Sequence, residues 1–180
     1  MGYTFQVGAP GYLRGVSRFH RLLQEIVAAG LSSMGFDVSI EEPLPGGLVA
    51  DVYGEAPWGS IIVEVETGFV APGMLKSAED YLKARIAWKS IRYSRHADLF
   101  AVAMPSFVEI PIPGVLVGRG GRREAARLLG LLRGLMGVDG VVGLDDVMNA
   151  RVDAVIKIVL SSRRIMVKSL NGHYWLLEPP

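Results

Sequence analysis

Ser60-Ile61-Ile62-Val63-Glu64-Val65-Glu66-Thr67 is dense in β-branched residues and reads as a strand that carries two carboxylates in an otherwise apolar run. In a strand, residues two apart project from the same face, so Glu64 and Glu66 must share one side of the sheet despite their like charges. The strand before it, Gly47 to Tyr53, places Asp51 within Leu48-Val49-Ala50-Asp51-Val52, and the Gly54-Glu55-Ala56-Pro57-Trp58-Gly59 connection returns the chain. Upstream, Phe36 to Glu41 alternates apolar and polar residues and ends at Pro43-Leu44-Pro45-Gly46-Gly47, which has to reverse direction. Three consecutive strands of this kind form an antiparallel meander, and that meander brings Asp51 alongside the glutamates.

Helices flank the meander. From about Ser17 to Met34, Phe19, Leu22, Leu23, Ile26, Val27 and Leu31 recur at helical spacing, while Arg18, Arg21 and Gln24 fall elsewhere. Ser17 suits the N-cap and Gly35 the position just beyond the C-terminus. A second helix is expected over Lys76 to Arg95, which contains no glycine or proline. Leu99 to Met104 is short, apolar and stopped by Pro105, as a buried strand would be. A helical crossover lets that strand run parallel to a neighbour, so the sheet is expected to be mixed with helices on its faces, an α/β fold.

Beyond this core, Val108 to Val117 carries Pro111 and Pro113 and can be an edge element at most. A helix from Arg122 to Met136 follows Gly118-Arg119-Gly120-Gly121, and another helix is expected over Asp145 to Leu160. Ile165 to Lys168 and Tyr174 to Leu177 are expected as a hairpin through Asn171-Gly172. The organisation expected is a core over residues 1–137 and a helix plus β-hairpin over 138–180, packed on the core or standing as an appendage.

Composition narrows the chemistry. The 180 residues are 50% hydrophobic, enough for one substantial core, and the net charge of +1 leaves any nucleic-acid surface to be local. With no cysteine there is no thiolate catalysis or thiolate-bound zinc. His20, His96 and His173 stand far apart without metal-binding spacing. There is no G-x-S-x-G and no G-x-G-x-x-G after an early strand, so serine hydrolysis and dinucleotide binding are unsupported. No signal peptide or bilayer-length apolar stretch is evident, and a cytosolic protein without a membrane partner is the expectation.

Carboxylates therefore remain as the chemical resource. Asp51, Glu64 and Glu66 on neighbouring strands supply the oxygen donors that hard divalent ions such as Mg²⁺ or Mn²⁺ take, and such an ion activates water for phosphodiester hydrolysis. The competing interpretation is a solvated sheet face.

The order helix, three strands, helix, strand, with Asp51 on the second strand and Glu64 on the third, resembles the PD-(D/E)XK nuclease superfamily over roughly residues 17 to 105. The resemblance implies a restriction endonuclease-like fold with an α-β-β-β-α-β core, a metal held by Asp51 and Glu64, and a supporting acid on the first helix, here Glu25. It also implies a metal-dependent nuclease acting on nucleic acid, DNA above all, or a non-catalytic DNA-binding or assembly module that retains the fold. The pattern places a lysine where this chain has Glu66, a residue that binds metal or positions water but cannot donate to an oxyanion. Lys76, Lys83 and Lys89 on the following stretch are the candidates to replace it.

The stretch 76 to 95 is also basic. Arg85, Lys89 and Arg92 follow the spacing of one helical face, and with Lys76, Lys83 and Arg119 they are the candidate phosphate contacts, the alternative being a solvated helix face. Trp58, in its glycine and proline loop, has the shape to stack on a base. A wet carboxylate is not a core residue, so alanine at Asp51 is expected to abolish cleavage with little loss of fold. The chain is compatible with a homodimer.

Overall fold

The computed structural model describes residues 17–170 and 172. The first helix, α1 (Arg18–Ser33), begins where Ser17 Oγ accepts the His20 N–H at 3.1 Å. It ends before Gly35, whose φ of +93° is the left-handed conformation that a helix exit uses. Leu23, Ile26, Val27 and Leu31 form its buried stripe. Phe19, expected in that stripe, is exposed, whereas Gln24, expected outside it, is buried.

The meander follows as β1 (Asp37–Leu44), β2 (Leu48–Ala56) and β3 (Gly59–Val65), antiparallel in sequence order. A short 3₁₀ turn, Pro72–Ser77, leads into α2 (Ala78–Tyr93), and β4 (Leu99–Pro105) then pairs in parallel with β3. The expected order of helix, three strands, helix and strand is therefore present. After β4 the segment 108–117 forms no strand: its prolines deny the ladder its donors, and only a 3₁₀ turn, Gly114–Val117, appears. Helix α3 (Arg122–Met136) has the expected bounds.

One expectation fails clearly. Asp145 to Leu160 is not one helix but a short helix, α4 (Leu144–Asn149), followed by β5 (Ala154–Val159). Val152, Ala154, Ile156 and Ile158 are buried at period two, and β5 lies parallel to β4. The strand β6 (Arg164–Ser169), which contains the expected Ile165 to Lys168 segment, closes an antiparallel hairpin with β5, turning through residues 160–163. The expected Tyr174 to Leu177 segment lies outside the described residues.

The six strands among the described residues form one mixed sheet in the order β1-β2-β3-β4-β5-β6, so β5 and β6 continue the sheet that carries the acidic residues. Two cores sandwich it. Helix α1 packs on one face over Val52, Ile61, Val63, Ala101 and Ile156. Helices α2, α3 and α4 cover the other over Ile62, Phe100, Val102 and Met104. No helix among the described residues is long and apolar enough to cross a membrane.

Candidate active site

The site sits where β2 and β3 part. Backbone pairing between them runs from Ala56 opposite Gly59 to Val52 opposite Val63 and stops there. Beyond that point β2 still pairs with β1 through Ala50 and Val49, while β3 still pairs with β4 through Glu64 and Val65. Carboxylates take over the missing rungs. The Asp51 N–H donates to Glu64 Oε1 at 3.1 Å, and the Val65 N–H donates to Asp51 Oδ2 at 2.8 Å. Two acids are thus built into the backbone hydrogen bonding of the sheet, which satisfies amides that would otherwise be unpaired.

Helix α1 reaches the same point from one side. His20 Nε2 lies 3.0 Å from Asp51 Oδ1, and the Gln24 amide donates to that oxygen at 3.2 Å. Glu25, expected as the supporting acid, points away: it is 47% exposed and pairs with Arg21 at 3.5 Å. One residue along a helix is a rotation of roughly 100°, enough to turn Glu25 to solvent and to bring Gln24 inward.

Helix α2 reaches it from the other side. Lys89 Nζ lies 3.1 Å from Glu64 Oε2, 3.1 Å from Glu66 Oε1 and 3.6 Å from Asp51 Oδ2, and it donates to the Val65 carbonyl at 3.1 Å. Arg85, one turn earlier, pairs with Glu66 Oε2 and donates to the Phe69 carbonyl at 2.7 Å. The expectation of a solvated face therefore fails, because Glu64 is 3% and Glu66 0% exposed, and their charges are offset by two buried-facing cations. Asp51 also departs from the wet carboxylate expected, since three donors converge on it.

The basic residues of α2 consequently divide. Lys89 and Arg85 point into the acidic cluster rather than toward an external phosphate. Arg92 lies over the Trp88 and Tyr93 rings at 5.5 and 5.2 Å, and Lys83 pairs with Glu79 at 2.5 Å. Lys76 stays on the exposed 3₁₀ turn, and Arg119 is exposed before α3. Trp58 packs edge-on against Phe36, with ring centroids 6.0 Å apart, which explains it as a packing residue. Sequence reading names Lys89 only as one of three lysines and misses both His20 and Gln24.

Burial and charge set the ionisation. Burial is the largest influence on Glu64, the nearby Asp51 charge adds to it and Lys89 opposes it, leaving the carboxyl pushed up to about 7. Burial also acts to raise Asp51, but the His20 hydrogen bond and the Lys89 charge outweigh it and hold Asp51 below its usual value. Burial works against the charged form of Lys89, yet Glu66, Glu64 and Asp51 together raise it above the ordinary lysine range. The ammonium is therefore retained at neutral pH.

No family model, curated protein or solved structure matches the chain.

The cluster offers only oxygens, from Asp51, Glu64, Glu66 and the Val65 carbonyl, a set suited to a hard cation and not to a soft one. The cations among them are the Lys89 ammonium and the Arg85 guanidinium, and no group of three or more His, Asp or Glu among the described residues is arranged to hold a metal ion. Arg85 bonds Glu66 Oε2, whereas the buried Oε1 lies 3.1 Å from Lys89 Nζ as an ion pair without a hydrogen bond among the described residues. Asp51, Glu64 and the Val65 carbonyl supply the other oxygens, each engaged by His20, Gln24, a backbone amide or Lys89.

The raised Glu64 carboxyl has a measurable consequence. An acid that binds its proton more tightly when folded loses stability as pH rises from its unfolded value of 4.5 through about 7. The loss is of order 3 kcal/mol at 1.36 kcal/mol per unit. Glu64→Gln should flatten this decline in thermal melts taken from about pH 5 to about pH 7.5, and an unchanged slope would assign it to another group.

Proposed function

We propose that this chain is a nuclease-like phosphodiester hydrolase of the PD-(D/E)XK type, in which the lysine absent at position 66 is supplied by Lys89 from α2. The observation that carries this reading is the position of Lys89 Nζ, 3.1 Å from both Glu64 and Glu66 and beside Asp51. The element order α1-β1-β2-β3-α2-β4 supports it, as does the parting of β2 and β3 at the acidic residues.

Asp51, Glu64 and the Val65 carbonyl would hold Mg²⁺ or Mn²⁺, which supplies Lewis acidity and an activated water when bound. Lys89 donates hydrogen bonds to a phosphoryl oxygen and stabilises the negative charge that develops there. Glu66 and Arg85 hold the lysine in place. His20 and Gln24 fix the orientation of the Asp51 carboxylate, whose second oxygen is fixed by the Val65 amide. Holding the reactive groups through buried partners lowers the reorganisation needed during reaction.

The test is incubation of the purified protein with labelled single- and double-stranded DNA and RNA in Mg²⁺, in Mn²⁺ and in EDTA. Metal-dependent cleavage that EDTA abolishes is the expected result; absence of cleavage under every condition, or equal cleavage in EDTA, would sink the proposal.

A second reading has its own support, since Lys89 and Arg85 already offset the cluster without a metal. In that reading the acids and bases are a structural network inside a nucleic-acid-binding or assembly module. It predicts salt-sensitive binding without turnover.

A further inference from the structure

Four arginines gather at the start of α3, away from the acidic cluster. Arg119, Arg122, Arg123 and Arg127 are all exposed, and among the described residues their side chains have no carboxylate partner. The one acid of the segment does not neutralise them. Glu124 turns inward, and its Oε1 accepts the Gly114 N–H at 2.7 Å. Gly120 permits this fold of the loop, because a Cβ there would meet Glu124 Oε2 at 2.0 Å and the Val115 amide nitrogen at 2.5 Å. The loop is thereby pinned under the helix, and the arginines are presented outward beside the positive end of its dipole.

The rest of the outer face is flat. Ala126, Gly130 and Gly134 are exposed at successive helical turns, and a Cβ at either glycine would meet nothing within 4 Å. The inner face, Ala125, Leu128, Leu129 and Leu132, is buried in the core that α3 shares with α2 and α4. Arg127 also lines a cleft of about 340 Å³ together with Lys83, Asp80 and Glu124, which connects this face to α2, the helix that delivers Lys89. Arg133 differs from the others, since it lies 4.0 Å from Asp139.

We propose that this face of α3 binds the phosphate backbone of a nucleic acid, through Arg119, Arg122, Arg123 and Arg127. The inference deepens the hydrolase reading by locating a substrate contact, and it rests on that reading for the identity of the polymer. Charge excludes self-pairing of the face, because two copies would oppose like-charged arginines. The composition of the face argues against a membrane surface. An interfacial helix needs large apolar side chains beside its basic residues, and the exposed large hydrophobics (Phe19, Val49, Phe69, Leu75, Phe107, Val141, Met148 and Met166) all lie off α3. Arginines flanking small residues let a phosphodiester chain approach closely and accept several donors at once.

The experiment measures binding of a labelled duplex and of its single strand by fluorescence anisotropy in EDTA over a series of KCl concentrations. The triple variant Arg122→Ala, Arg123→Ala, Arg127→Ala should bind the preferred form tenfold or more weakly. Its plot of log Kd against log salt should be shallower by about 2 to 3, near one unit for each phosphate that no longer meets an arginine. Arg123→Glu alone should weaken binding further than Arg123→Ala. Unchanged affinity and slope in the triple variant would overturn the proposal, as would failure of the wild type to bind either form. Tighter binding to phosphatidylserine-containing vesicles than to nucleic acid would overturn it too, with phosphatidylcholine vesicles as the reference. Because EDTA separates binding from cleavage, a wild type that binds through α3 but never cleaves removes the hydrolase reading alone. Metal-dependent cleavage with unaltered binding by the triple variant removes this surface alone.

Discussion

Lys89→Met should lose about 3–5 kcal/mol of stability, the scale observed when one partner of a buried charge network is removed. For a chain of this length that corresponds to a fall in Tm of roughly 10 °C. Lys89 is the shared counter-ion of Asp51, Glu64 and Glu66, and methionine would fill much of its volume while leaving those carboxylates without it. Thermal denaturation at neutral pH reads the effect directly. Adding Glu66→Gln to Lys89→Met should recover part of the loss, because removing a buried acid relieves the charge left behind. Mn²⁺ should raise the Tm of Lys89→Met more than that of wild type if Asp51, Glu64 and the Val65 carbonyl take a divalent ion. A Tm within two or three degrees of wild type would show that the lysine is not needed to compensate the acids.

Asp51→Asn should reduce the proposed cleavage by about 10²–10³-fold or more, the cost of removing one preorganised charged group from a site. Stability should change far less, by about 1–2 kcal/mol, because asparagine retains an oxygen for the Val65 amide. Asp51→Ala is different from what the sequence reading expects. It leaves His20, Gln24 and the Val65 N–H without their acceptor, so a loss of activity in that variant would be confounded with damage to the fold. Rates and melts measured together on the asparagine variant separate chemistry from structure, and full activity in Asp51→Asn would dismiss the aspartate from the reaction.

Much of the architecture is legible because local pattern and tertiary role agree. The β-branched run expected at 60–67 is a strand as far as Val65, with buried residues on both faces and Glu66 just beyond its end, and the helix over 122–136 is bounded by glycines that the sequence displays openly. Residues 145–160 mislead because no glycine or proline separates α4 from β5, and because Val155 and Val159 put apolar residues on the less buried face of the strand too, leaving Lys157 as the one polar interruption. The period-two recurrence of Val152, Ala154, Ile156 and Ile158, all buried, is the signal that points to the strand. Within the site, the strand period places Asp51, Glu64 and Glu66 together. Helical phase points to Gln24, which shares the stripe of Val27 and Leu31, whereas only its charge recommends Glu25. Which lysine meets the acids depends on how α2 lies across the sheet, and that is a tertiary property no local pattern contains.

The exchange of rungs between β2 and β3 makes chemistry and architecture share atoms. Oxygens that hold the sheet's amides are the same oxygens that define the acidic cluster. A carboxylate here cannot swing aside by a simple rotamer change, because its departure would unzip the adjoining backbone. Groups mounted in this way are held already aimed, and the fold would have to come undone locally before they could wander.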